Sequence, residues 1–322
     1  MNTKQLLFFL KASEFQSIAA AARDLGVAQP SISLQLENLE HELSTCLFER
    51  SFKGVTLTES GVIFKAHAES ILRQVEQAKL DVHKFEREPA GRLSIGMTQP
   101  IGNIISVPLL ALVEQRYPKI ELELYTGLSF SLSRQLLSGD IDIAISSPDG
   151  GDVSLIRQEK LFREKLYISM GCEPKISSHR PLRERSSITF SELAQHEVIV
   201  TGPRDSLGYV LHQYEEQVGI KVPHKPAFGQ LMTTLRYVMD GYGILLSPTS
   251  AFYHLQQVGQ IHALEVTEPT LWRDVYISTS VSRPKTATLQ AIIPLIYEVT
   301  KAECESGRWQ GELLAEVKKA AH

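Results

Sequence analysis

Apolar positions in the first part of the chain recur at helical spacing. Ile32, Leu36, Leu39 and Leu43 form one stripe, which predicts a helix with that face in a core. Ser31, Ser33, Leu34, Gln35 and Asn38 lie off the stripe, and Gln29 and Pro30 open the helix, because proline is tolerated in a first turn. Upstream, Ser17 is a good N-cap for the alanine run at 19–22, and Gly26 suits the left-handed position that closes such a helix. Two short helices around a tight turn are followed by two apolar runs flanking Arg50, Ser51, Phe52, Lys53 and Gly54, which reads as a hairpin tip with two cations. The pattern is a winged helix-turn-helix, a shape that lays its second helix in a DNA major groove. Serine, glutamine and asparagine reach base edges there, and an exposed leucine touches a thymine methyl. Ser17, Gln29, Pro30, Ser31, Ser33, Leu34, Gln35, Asn38, Arg50 and Lys53 are therefore the expected DNA-facing residues.

The period changes after residue 58. Phe64, Ala68, Ile71, Val75, Ala78, Val82 and Phe85 alternate in steps of four and three, a heptad pattern, with Thr58 able to cap the helix and Pro89 and Gly91 ending it. The stripe is narrow, which favours a partner helix in a homodimer over packing on its own domain. After Gly91, short apolar runs alternate with helical segments, which predicts an α/β fold with a largely parallel sheet. Two such series occur. In these sheets ligands sit beyond the carboxyl ends of strands. Those positions hold Thr98, Gln99 and Pro100, then Leu128 and Ser129, then Ser146 and Ser147, then Thr201 and Gly202. A small polar or carboxylate metabolite is the expected ligand, and a cleft that holds none is the alternative.

Length and charge sharpen this picture. At 322 residues the chain should split into several domains. The formal net charge is −4, and residues 1–58 carry five Lys or Arg against six Asp or Glu. Neutralised phosphates supply most non-specific affinity for DNA, so several copies must act together. Cys46, Cys172 and Cys304 are widely spaced, which suits a reducing cytoplasm and argues against a zinc or disulfide framework. No run approaches a membrane span or reads as a secretory leader, so a cytoplasmic protein without membrane contact is expected. No catalytic, cofactor or metal motif stands out, and the ten histidines are scattered. A stand-alone binding protein or an enzyme with an accessory helical domain is the competing reading.

The blocks Ala-Ala-Arg…Leu-Gly…Gln29-Pro30-Ser31…Ser33…Leu39-Glu40, Leu47-Phe48-Glu49-Arg50 and Leu57-Thr58-Glu59-Ser60-Gly61 resemble the LysR-type transcriptional regulators. Residues 71–78 and the tail around Arg308, Trp309 and Gln310 look closest to the nitrogen-assimilation-control branch. The resemblance implies an all-α winged helix-turn-helix domain at 1–58, a linker and dimerisation helix at 59–88 and a hinge at 89–91. It also implies a two-lobed, periplasmic-binding-protein-like effector domain at 92–303. Lobe I would take about 92–164 and 268–303, and lobe II about 165–267. It implies double-stranded operator DNA as partner, dimers that pair into homotetramers, a regulator rather than an enzyme, and a possible small effector. Gln29, Pro30, Ser31, Ser33 and Lys53 carry over as DNA-facing positions. Two departures stand out: Ala28 where the family usually has serine or threonine, and Leu34 where it often has arginine. Residues 304–322 form an extension in which Trp309, Leu313 and Val317 repeat every four residues, predicting a short amphipathic helix.

Overall fold

The computed structural model describes residues 1–51, 54–82, 89–202, 205–227, 229–283 and 286–314, with backbone only over 77–82. The chain divides into two compact units, Met1–Arg87 and Glu88–His322.

The first unit is three helices, a hairpin and a long helix. Helix α1 (Thr3–Phe15) opens with a reciprocal cap, in which the Asn2 side chain accepts from the Gln5 amide and the Gln5 side chain accepts from the Asn2 amide. Helix α2 (Ile18–Asp24) starts at Ser17, whose hydroxyl accepts from the Ala20 amide at 3.2 Å. Gly26 follows in the left-handed region, at φ 64°. Helix α3 (Gln29–Glu42) carries its proline in the first turn. Strands β1 (Phe48–Ser51) and β2 (Gly54–Leu57) pair antiparallel as the wing. Helix α4 (Glu59–Val82) follows, with the Thr58 hydroxyl accepting from the Gly61 amide at 2.9 Å. Leu6, Phe9, Ala12, Ala21, Ile32, Leu36, Leu39, Leu47, Val55 and Ala68 share one core.

The second unit has two sheets joined by one strand. Strand β3 (Gly91–Met97), helix α5 (Gln99–Arg116), strand β4 (Ile120–Thr126), helix α6 (Ser129–Ser138) and strand β5 (Ile143–Ser146) come first. Strand β6 (Ile156–Gly171) then runs sixteen residues. It is followed by a 3-10 helix (Ser177–Glu184), strand β7 (Ser187–Thr189), helix α7 (Phe190–Leu193), strand β8 (Val198–Val200) and helix α8 (Ser206–Val218). Strand β9 (His224–Pro226), helix α9 (Leu231–Met239), strand β10 (Ile244–Pro248), helix α10 (Tyr253–Gln257) and strand β11 (Ile261–Thr267) complete this part. Strand β12 (Trp272–Ser280), helix α11 (Ala287–Glu305) and strand β13 (Gly311–Leu313) close the unit.

Strand order in the first sheet is β4-β3-β5-β12-β6, with β13 on the far side of β6. Strands β3, β4 and β5 are parallel, and β12, β6 and β13 run antiparallel to their neighbours, so the sheet is mixed. The second sheet runs β6-β10-β8-β9, with β11 and β7 beyond β6. Strand β6 serves both: Lys165 pairs with Trp272 in the first, and Leu166 pairs with Pro248 in the second. Each sheet has its own apolar core, which makes two lobes.

Over the described residues 306–314 the expected C-terminal amphipathic helix is not formed. Helix α11 ends at Glu305, Gly307 turns the chain at φ 76°, and Gly311–Leu313 is a strand paired with Phe162–Glu164. An unpaired edge of β6 offers backbone partners that a short isolated helix would lack. Trp309 does pack on its own protein: it is fully buried against Phe162, with ring centroids 4.5 Å apart. A side chain at Gly311 would lie 2.2 Å from the Arg163 carbonyl, so the strand can approach only with glycine there. Val317 lies outside the described residues.

Candidate nucleic-acid interface and interlobe cleft

Helix α3 buries one stripe and displays the other. Ile32, Leu36 and Leu39 are at most 1% exposed, whereas Gln29, Pro30, Leu34 and Asn38 are exposed and Ser31, Ser33 and Gln35 half-buried. Ala28 occupies the N-cap with no side-chain hydrogen bond, so the first amides of the helix are left without a side-chain acceptor. The hydroxyl oxygen of Ser17 is engaged as a cap of α2, which leaves its proton free to donate.

Two carboxylates tie α3 to the wing. Glu40 accepts from the Leu47 and Phe48 amides at 2.7 and 3.0 Å. Glu37 pairs with Arg50 at 3.2 Å, so this wing cation faces α3. Both partners are exposed, and such a pair is weak enough to exchange for a phosphate. Lys53 lies outside the described residues. The Leu57-Thr58-Glu59-Ser60-Gly61 block has a packing reason. Thr58 donates to the Cys46 carbonyl at 2.7 Å, and a side chain at Gly61 would sit 2.1 Å from the Leu47 carbonyl.

The expected dimer seam on α4 needs correction. Ala68 is fully buried in its own domain, Phe64 packs edge-on against Phe9 at 5.0 Å, and Ile71 packs on the same core. Ala68 is spent within the chain and half-buried Phe64 and Ile71 partly so, because a four-three spacing marks a face and not the identity of what covers it. Val75 is half-buried, and the Ala78, Val82 and Phe85 side chains lie outside the described residues. Among the described side chains of α4, the exposed apolar ones include Val62 and Ile63, each 60% exposed, next to exposed Ala66. The heptad reading passed over these residues.

In the second unit the strand ends of both lobes meet. Thr98 holds the N-cap position of α5 without a side-chain hydrogen bond and is 7% exposed, Leu128 is exposed at the start of α6, Ser129 is fully buried, and Ser147 is 4% exposed. Thr201 and Gly202 follow β8, and α8 packs on them so closely that a side chain at Gly208 would lie 2.6 Å from the Gly202 carbonyl. The hydroxyls of Thr98, Ser129, Ser147 and Thr201 are all buried without a partner among the described residues. Buried polar atoms ordinarily have partners, and these four predicted positions depart from that rule, as do the Thr249 and Thr300 hydroxyls. Gln99 instead donates to Asn103 at 2.9 Å and is exposed, and Pro100 is half-buried. Two contacts cross between lobes here. The Ser129 amide donates to Asp205 at 3.0 Å, and Gly150 abuts the Tyr209 ring, which a side chain there would meet at 2.9 Å.

Behind the cleft, at the passage of β6 and β12 between lobes, lies a buried ion pair. Arg273 donates to Glu164 at 2.7 Å, and both are at most 4% exposed. Glu164 also accepts from the Trp309 indole at 2.7 Å and from Ser250 at 3.3 Å. Arg273 reaches the Ser206 hydroxyl at 3.3 Å, at the start of α8. In lobe II, His179 and His196 face one another with ring centroids 5.3 Å apart. Burial pushes His179 down to about 4, with His196 and Lys225 adding repulsion, and burial also lowers His196. Asp205, Glu164 and Arg273 have no local sequence signature, since each acts on a residue far away in the chain. Among the described residues no three metal-ligating side chains cluster, and no helix is long and apolar enough to cross a membrane.

Residues 3–62 match the family described as bacterial regulatory helix-turn-helix protein, lysR family, and residues 86–301 match the LysR substrate binding domain. The chain is 28% identical to the nitrogen assimilation regulatory protein nac of Escherichia coli over 96% of its own length and 99% of that protein. It is 37% identical to nac of Klebsiella aerogenes over 52% of this chain, a match that spans 55% of the Klebsiella protein. Among solved structures, the LysR family transcriptional regulator CbnR aligns with TM-score 0.65 at 21% identity, covering 93% of this chain and 99% of CbnR. Full-length OxyR of Pseudomonas aeruginosa aligns with TM-score 0.62 at 23% identity, over 93% and 97% of the two chains. With both family domains in order along one chain, and a fold shared with full-length regulators, this protein belongs to the LysR family of transcriptional regulators, which are not enzymes.

Proposed function

We propose that this regulator reads operator DNA through the exposed side of α3 and works as a dimer, assembling further into a tetramer, with a small polar metabolite bound between the two lobes. One observation carries the reading. Gln29, Pro30, Leu34 and Asn38 stand exposed along a helix whose opposite stripe is fully buried. A rigid helix presenting amides and one aliphatic group is the form that base-edge readout requires. A solved structure of full-length CbnR with its target DNA supports the same mode for this chain. The face of α4 bearing Val62, Ile63 and Ala66 is the proposed contact with the second copy, because exposed apolar residues there have no cover among the described residues. A dimer supplies the second recognition helix that a unit of balanced charge needs. A chromosome-binding regulator of this kind acts in the cytoplasm. The four orphaned hydroxyls support the cleft as the effector site.

Gln29→Ala tests the DNA reading. Titration of the intact protein against its own upstream DNA and against random DNA should show specific affinity falling by roughly 5- to 150-fold, the worth of one good base contact. Affinity for random DNA should stay level. Equal loss on both DNAs would remove Gln29 from base recognition.

A further inference from the structure

Asp205 stands at the N-cap of α8 in lobe II, yet its side chain takes no amide of its own helix. Its Oδ1 accepts instead from the amide of Ser129, the first residue of α6 in lobe I, at 3.0 Å. Both residues are buried, at 6% and 0% exposure. The first turn of a helix presents unpaired amides and a positive dipole end, which together form a seat for an anion. Helix α6 has no cap of its own, because Leu128 holds the capping position. The hydroxyl of Ser129 lies buried beside that amide without a protein partner. The seat is therefore built, and a side chain from the opposite lobe fills it.

We propose that Asp205 is the resident anion of this cleft. Its carboxylate takes the place at α6 that a free carboxylate ligand would take, and by doing so it ties lobe II to lobe I. Of the two ligand chemistries expected for the cleft, carboxylate and uncharged polar, this leaves the second. A further anion at α6 would meet a fixed negative charge in a buried setting, whereas the buried hydroxyls of Thr98, Ser129, Ser147 and Thr201, which have no partner among the described residues, are satisfied by a neutral hydrogen-bonding group. The inference rests on the reading of the cleft as a ligand site, and it names the chemistry of that site.

The test is thermal unfolding of the full-length protein and of Asp205→Ala, in sodium acetate and in sodium chloride of equal ionic strength. Acetate is the probe for the vacated seat. The unsubstituted protein should melt at the same temperature in both salts. Asp205→Ala should melt lower in chloride and regain more than half of that loss, saturably, in acetate. A variant that responds to the two salts alike overturns the inference. So does a saturable rise of the unsubstituted protein in acetate, an outcome that keeps the cleft as a ligand site while refuting Asp205 as its occupant. If Asp205→Ala does not fold, amide hydrogen exchange at Ser129 in the unsubstituted protein decides: slow exchange supports the bond to Asp205, and exchange at the rate of a free amide overturns it. Rescue by acetate supports the inference whether or not any metabolite is found for the unsubstituted protein, so the two readings fail separately.

Discussion

Single residues carry charge states that the fold sets. His179 and His196 lie ring to ring in lobe II, and the Nδ1 atom of each is buried with no protein partner. The unfolded imidazole titrates near 6.5, and burial holds native His179 down at about 4. The native state therefore prefers the neutral ring. Its contribution to stability is complete above pH 6.5 and drains away as pH falls from 6.5 through 4, because the unfolded chain gains a proton that the folded chain refuses. Melting temperature should fall across that window, and His179→Gln should flatten the fall. An unchanged slope in the variant would assign the acid sensitivity to other groups. Local chemistry of another kind was legible beforehand: Ser17 as cap, Gly26 as left-handed turn and Ala28 as a missing cap are all properties of neighbours in sequence.

Elements were legible where one period has one meaning. The stripe on α3 could only face the core of its own small domain, and Ile32, Leu36 and Leu39 do. The stripe on α4 has two possible covers, a second helix or the same domain, and spacing alone does not choose between them. Ala68 went to the domain core and half-buried Phe64 and Ile71 pack against it, which moves the proposed subunit contact to Val62 and Ile63. The consequence is a pair of opposed outcomes. Val62→Asp with Ile63→Asp should halve the mass in sedimentation while leaving helix content intact, since both side chains are exposed. Ala68→Asp should instead melt the domain, as a charge forced into a core does. A double variant that keeps the parent mass would leave this face of α4 without a role in assembly. The tail was misread for a related reason. Trp309 and Leu313 are four apart, which suits a helix, yet Gly307 and Gly311 between and beside them permit a turn and a close-lying strand.

At the scale of the whole molecule, the lobes are linked through partners far apart in sequence, which no local pattern reveals. Glu164 gathers Arg273, Trp309 and Ser250 where β6 passes between sheets, and Arg273 extends the link to Ser206 on α8. A buried pair of this kind is expensive to break from one side. Glu164→Gln should destabilise the protein by about 3–5 kcal/mol, because a buried guanidinium loses its counter-charge. Replacing Glu164 and Arg273 together by leucine should recover most of that loss in chemical denaturation, and failure to recover would mean that the carboxylate matters chiefly to Trp309. The order of strands has a separate consequence. Lobe I is assembled from two stretches of chain, β3 to β6 and β12 to β13, with all of lobe II threaded between them. During vectorial synthesis lobe II has its whole sequence in hand early, whereas the edge of β6 at Phe162–Glu164 waits for Gly311–Leu313 to emerge. Nascent chains arrested before residue 311 should thus present that edge to chaperones or to one another, and gain protease resistance there only on release.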